Sequence, residues 1–333
     1  MLDYSLSTNP LGAPRSLKRQ LSKMYRGLAN DFDYDYKATK EILAAYHSIK
    51  SENIFIASGC SEILYNALSA LKPRKALIPA PAPGIYFGAC KRCGCEVVTY
   101  HLSPENEFEI DPDKLIALSA GVDMIILGNP GNPTGQVIRR GDMARILEHC
   151  QVKGIYLIID ETYADFAAED ISAARHVEKH ANIMILRTLS NYFSQKELRF
   201  GYCISCESLT ELMKVCQAPG TVNYFALNAF GILLRDAKYI KKTKSWLKNE
   251  PKRFYNLLYG VDGITPYKPH ANYIFVETER MPAAILRDRL LAADIKVRVC
   301  GKMMGTQGQY IRVAIKDAKS NNKFLEKLIK CLL

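Results

Sequence analysis

The segment RTLSNYFSQKELRFGY, residues 187–202, gathers Ser190, Asn191, Lys196 and Arg199 directly after an apolar run. It is patterned as a loop that presents a lysine at 191 for Schiff-base chemistry, in which a neutral amine attacks a carbonyl carbon. Asparagine stands there instead, and an amide offers no basic nitrogen. Other stretches carry groups suited to a flat ligand with a ring nitrogen and a phosphate. GNPGNPTGQ, residues 128–136, holds Asn132 in a turn that its two Asn-Pro pairs keep non-helical; taken alone, it serves equally to close a loop. LIIDETYADF ends an apolar run on Asp160, and a carboxylate there calls for a cationic partner such as a protonated ring nitrogen, or else caps a helix. SGCSE, residues 58–62, places Cys60 and Ser61 at a strand-to-helix turn, where free N–H groups suit a phosphate or simply a cap. Tyr86, two residues past a Pro-x-Pro-Gly turn, lays a ring over a flat ligand or fills the core.

The elements that must position these residues are legible between about 53 and 206. NIFIAS, KALIPAP, EVVTYHL, MIILGN, YLIIDET, IMILRTLS and FGYCIS read as strands, separated by the helical stretches SEILYNALSALK, GIYFGACKRCG, DPDKLIALSA and GDMARILEHC. Strands apolar throughout are buried on both faces, and the helices between them supply parallel crossovers, so the fold class is α/β. In such a sheet ligands bind beyond the carboxyl ends of the strands. Ser58 to Ser61, Asn129, Asp160 and Ser190 with Asn191 all fall at such ends. After about 235 a long charged helix is followed by NYIFVE, RMPAAILRDRLLAAD, KVRVC, YIRVAIK and NNKFLEKLIKCLL, the pattern of a smaller α+β unit. The expected division is an N-terminal arm, 1–37, that partly joins the small domain, a large domain, 38–235, and the small domain, 236–333.

Composition narrows the partners. With 333 residues, 48% of them hydrophobic, a sizeable core is available. The net charge of +11 is scattered, and the densest stretch, 235–253, reads as a solvated helix face. A nucleic-acid surface is therefore not expected, while anionic small molecules gain in encounter rate. The opening residues lack the signature of a secretory signal, and no apolar run approaches the ~18 residues of a membrane span, so a cytoplasmic chain with no membrane contact is expected. Ten cysteines in this length read as reduced thiols; neither ACKRCGCE nor YCISC makes a clean metal-binding pattern, and no metal is assigned.

In this order and spacing the stretches resemble the pyridoxal-phosphate enzymes of the aspartate aminotransferase fold, from LDYSLSTNPLG at 2–12 to YIRVAIK at 310–316. GNPGNPTG is similar to that family's Asn-Pro-x-Asn-Pro-Thr-Gly turn and IDETY to its Asp-Glu-x-Tyr. The resemblance implies pyridoxal or pyridoxamine 5'-phosphate as cofactor, with Asp160 on the pyridinium nitrogen. It implies Asn132 and Tyr163 on the 3-oxygen, Tyr86 stacked on the ring, and Cys60, Ser61, Ser190 and Arg199 on the phosphate. Tyr36, in FDYDY, looks like the tyrosine that reaches the neighbouring subunit's phosphate, which implies a homodimer with shared sites. Within the fold the local matches resemble threonine-phosphate decarboxylase of cobalamin synthesis and histidinol-phosphate aminotransferase. That implies a phosphorylated amino acid as substrate, with Arg312 forked onto its carboxylate and Arg298 and Asn9 toward its phosphate.

Asn191 stands where the family has its Schiff-base lysine, and Lys196-Glu197 replaces the small residues usual before Leu-Arg. Three readings follow. The protein still performs decarboxylation or transamination, with Lys196 as the amine or with free pyridoxamine phosphate; it binds cofactor or a phosphorylated amino acid without turnover; or the residue is a substitution in an ordinary enzyme.

Overall fold

The computed structural model describes residues 1–29, 33–300 and 308–333; parts of the expected arm and small domain, 30–32 and 301–307, lie outside the described residues. Runs without polar alternation form a seven-stranded sheet in the order β2-β8-β7-β6-β5-β3-β4. Its members are β2 (Ile54–Ala57), β3 (Lys75–Ala80), β4 (Glu96–His101), β5 (Met124–Gly128), β6 (Tyr156–Asp160), β7 (Ile183–Arg187) and β8 (Gly201–Ser205). Every side chain of β2, β7 and β8 is buried, because helices cover both faces of the sheet. Pairing is parallel except at β8, which runs antiparallel to both β7 and β2. The sheet is thus mainly parallel, as expected, and the one reversed strand is a feature that composition does not encode.

The chain also forms β1 (Leu2–Asp3), β9 (Ile264–Pro266), β10 (Tyr273–Thr278), β11 (Ile295–Lys296), β12 (Arg298–Val299) and β13 (Tyr310–Ala314). Four of these make an antiparallel sheet in the order β12-β13-β10-β9. The helices Ala283–Ala292 and Ala318–Leu332 contribute Leu286, Leu290, Phe324 and Leu328 to the core that this sheet shares. KVRVC, expected as one strand, is divided between β11 and β12 at the buried Val297. The arm joins this part through β1, which pairs in parallel with β11, and through Tyr4, fully buried against Phe324 with its hydroxyl bonded to Asn321.

A 23-residue helix, Ala237–Tyr259, about 35 Å long at 1.5 Å per residue, joins both cores, with Tyr239 in that of the large sheet and Phe254 and Leu258 in that of the small one. Helices Arg15–Arg26, Lys37–His47, Glu207–Val215 and Tyr224–Leu234 have no counterpart in the sequence reading. Tyr224–Leu234 is apolar nearly all round, so its period gives no signal. No helix among the described residues is long and apolar enough to cross a membrane, and no cluster among them has the makings of a metal site.

Candidate active site

The polar residues named from the sequence meet at the carboxyl edge of the large sheet. Gly59, Cys60, Ser61, Tyr86, Asn132, Asp160, Tyr163, Ser190, Asn191, Lys196 and Arg199 line one cleft of about 290 Å³. Asp160 is the last residue of β6, and Ser190 and Asn191 follow β7. Arg199 precedes β8, whose reversed direction starts that strand from the same edge.

One end of the cleft is an anion cradle. Helix Cys60–Leu71 begins here, and its first N–H groups have no helical carbonyl to bond. Gly59, at φ +92°, lets the Arg199 guanidinium lie against its Cα; an added Cβ would meet Nη2 at 2.6 Å. Gly201 is equally constrained, since a Cβ there would meet the backbone nitrogen of Cys60 at 2.6 Å. The Ser190 hydroxyl donates to the Phe200 carbonyl at 3.3 Å. The Cys60 thiol, pushed far up in pKa by burial and by the Asp160 charge, donates to the Arg187 carbonyl. With the sulfur so engaged, the open backbone N–H groups of the helix start are the donors available to an anion.

In the middle, Asp160 accepts from the Thr162 N–H at 3.0 Å on Oδ1 and from the Tyr86 hydroxyl at 2.6 Å on Oδ2. Below it, Arg187 is buried and pairs with Glu161 at 2.9 Å and Asp165 at 2.7 Å, which fixes the chain beyond β6. At the other end Arg312, on β13, donates to Asn132 Oδ1 at 2.7 Å and to the Ser5 carbonyl at 3.1 Å. Its guanidinium lies 4.9 Å from the Tyr273 ring centre, and its buried Nε has no hydrogen-bond partner among the described residues. Tyr163 packs edge-on against the same Tyr273. Lys196 sits in the tight turn Lys196–Leu198, its pKa lowered by burial and then by the Arg312 charge. Its neutral form, the nucleophilic one, is favoured accordingly.

Four of the expected residues stand in surroundings that the sequence does not show. Tyr86, expected to stack, directs its hydroxyl at Asp160, because the first turn of helix Gly84–Arg92 brings it beside the end of β6. Asn9, expected at the substrate's phosphate, has both amide protons engaged, with the Tyr192 carbonyl at 2.9 Å and Thr243 Oγ1 at 2.8 Å, and its Oδ1 accepts from the Leu11 N–H. It is a clamp: its backbone N–H bonds the Asn191 carbonyl at 3.1 Å and its carbonyl takes the Ser194 hydroxyl at 2.6 Å. Arg298 is exposed on β12 and does not line the cleft, although it is registered directly opposite Arg312. Tyr36 is buried outside its own chain's cleft, its hydroxyl accepting from the Val222 N–H at 3.3 Å. Sequence reasoning missed Tyr273 and Ser5, which support Arg312; Tyr273 is disguised as a core residue of the apolar run NYIFVE.

The model of the family described as aminotransferase class I and II matches residues 3–330. The threonine-phosphate decarboxylase of Salmonella typhimurium is 32% identical over 329 residues, 98% of this chain and 90% of that protein. The solved histidinol-phosphate aminotransferase of Clostridium acetobutylicum superposes with a TM-score of 0.94 at 31% identity, covering 100% of this chain and 99% of the other. The L-threonine-O-3-phosphate decarboxylase of Porphyromonas gingivalis, at 21% identity, shares the fold with a TM-score of 0.89 over 100% of this chain and 99% of the other. The cleft at the sheet edge is therefore that of a family, and the chain belongs to the class I and II aminotransferases.

Proposed function

We propose that the cleft holds pyridoxal or pyridoxamine 5'-phosphate and acts on a phosphorylated amino acid, as a decarboxylase or an aminotransferase, in the manner of the threonine-phosphate decarboxylases it is similar to. The observation that carries this is the spacing of complementary groups along one cleft: an anion cradle, a carboxylate and an amide for a ring oxygen, with the Arg312 guanidinium bonded to that amide. The donor set fits the cofactor. Gly59 leaves room for Arg199 beside the open N–H groups of the helix start, which suits a phosphate, and Asp160 suits a ring nitrogen that carries a proton.

Bound there, the cofactor supplies an electron sink for a bond broken at the substrate's α-carbon. The chain's own groups do the rest. Asn132, whose Oδ1 is taken by Arg312, keeps its N–H₂ for the ring oxygen, beside Tyr163. Arg312 forks onto the substrate carboxylate, held flat by the Tyr273 ring. Arg298, registered opposite Arg312 in the sheet though outside the cleft wall, is the cation this reading assigns to the substrate's phosphate. Asn191 contributes an amide where the family has its Schiff-base lysine, so the amine of the site is Lys196, which lines the same cleft with its proton affinity lowered. The working unit on this reading is a cytoplasmic homodimer in which Tyr36 serves the partner's phosphate, with residues 38–235 as the cofactor domain and 236–333 as the small one.

The test is an absorbance titration with pyridoxal phosphate on wild type and Asp160→Ala. Wild type binds, and the variant binds at least ~100-fold more weakly, the effect of removing one partner from a shielded charge pair worth ~3 kcal/mol. Equal binding by both removes Asp160 from the role, and no binding by wild type removes the cofactor.

A further inference from the structure

Tyr86 is nearly fully buried, and its hydroxyl reaches Asp160 Oδ2 at 2.6 Å while the Thr162 N–H holds Oδ1 at 3.0 Å. Both oxygens of the carboxylate that faces the cleft are thus already bonded by the protein. Each oxygen has a second lone pair, so a third donor from the cleft still fits. The phenol stays a neutral donor there, because burial and the Asp160 charge both push its pKa far up. A ring that served only to stack would need no hydroxyl; phenylalanine would do.

Resting on the cofactor reading above, we propose that Tyr86 is a positioning residue whose hydroxyl draws charge from Asp160 and so tempers the grip of that carboxylate on a protonated ring nitrogen. Two effects act in the same direction. A donor at Oδ2 spreads the negative charge, which weakens any further hydrogen bond the carboxylate accepts. The same donor keeps the carboxylate satisfied in the empty cleft, so the arriving N–H relieves less desolvation than it otherwise would.

The experiment compares the affinities of pyridoxal phosphate and its 1-deaza analogue, in which C–H replaces the ring nitrogen, for wild type and Tyr86→Phe. The ratio of the two dissociation constants isolates the contact between the nitrogen and Asp160 from stacking and from the phosphate. Expected is a preference for the nitrogen-bearing ligand that grows about tenfold in Tyr86→Phe, the size of one charge-assisted hydrogen bond lost from the carboxylate. An unchanged ratio shows that the hydroxyl has no hold on the pair, and a smaller ratio shows that it merely orients Asp160; either overturns the proposal. Tyr86→Leu, lacking ring and hydroxyl, should bind both ligands more weakly yet show the same enlarged ratio, and a wild-type ratio in that variant also overturns it. If wild type binds neither ligand, it is the cofactor reading that fails, a result distinct from a ratio that does not move.

Discussion

At the scale of residues, the site turns on which nitrogen is basic. Asn191→Lys returns a primary amine to a buried position on the cleft wall. Borohydride treatment with pyridoxal phosphate should then label the peptide carrying position 191, and turnover of phosphorylated amino acids should appear or rise at least about tenfold. In wild type the label should fall on Lys196, and a wild-type label on any other lysine removes Lys196 from its role. A different residue sets a pH limit. His47 bonds the Tyr202 hydroxyl at 2.8 Å, and burial, then the Arg187 charge, pull its pKa down to about 3. Unfolded, the same imidazole takes a proton near pH ~6.5. Between these values the unfolded chain binds more protons, so stability falls with falling pH, by up to about 1.4 kcal/mol per unit from this one group. Urea unfolding followed from pH 7 to pH 4 should show that slope in wild type and a flatter one in His47→Gln.

At the scale of elements, glycine marks where helix and strand meet. Gly201 opens β8 against the start of helix Cys60–Leu71, and a methyl group there would meet backbone atoms at 2.6 Å. Backbone cannot step aside as a side-chain end can, so Gly201→Ala should cost about 2 kcal/mol of stability. It should also weaken binding of pyridoxal phosphate more than that of unphosphorylated pyridoxal; equal losses for the two would separate this contact from the anion cradle. Such junctions also show what was legible beforehand. Asp160, Ser190 and Cys60 stand together at the sheet edge, and this much is legible because an apolar run that stops at a polar residue marks a strand end, and strand ends share an edge. The reversal of β8 was not legible, because a strand buried on both faces reads alike in either direction. Nor were the hydrogen bonds of Tyr86 and Asn9, since a residue type states what it can donate and not what will stand beside it.

At the scale of the whole molecule, the first fifty residues carry much exposed apolar surface. Leu11, Leu21, Tyr25, Leu28 and Tyr46 are all more than 40% exposed, and apolar residues so concentrated mark an association surface. Sedimentation at working concentration should therefore find a dimer; a monomer would take Tyr36 out of the site altogether. The first residues also bind the molecule to itself: Leu2 pairs with Ile295, Ser5 holds Arg312, and the Asn9 N–H ends on the carbonyl of Asn191. That last bond makes one backbone proton a gauge. Exchange of the Asn9 amide with heavy water proceeds only when the loop at 191 lets go, so its protection factor reports how often the cleft wall opens, in the resting protein and without a label in the cleft.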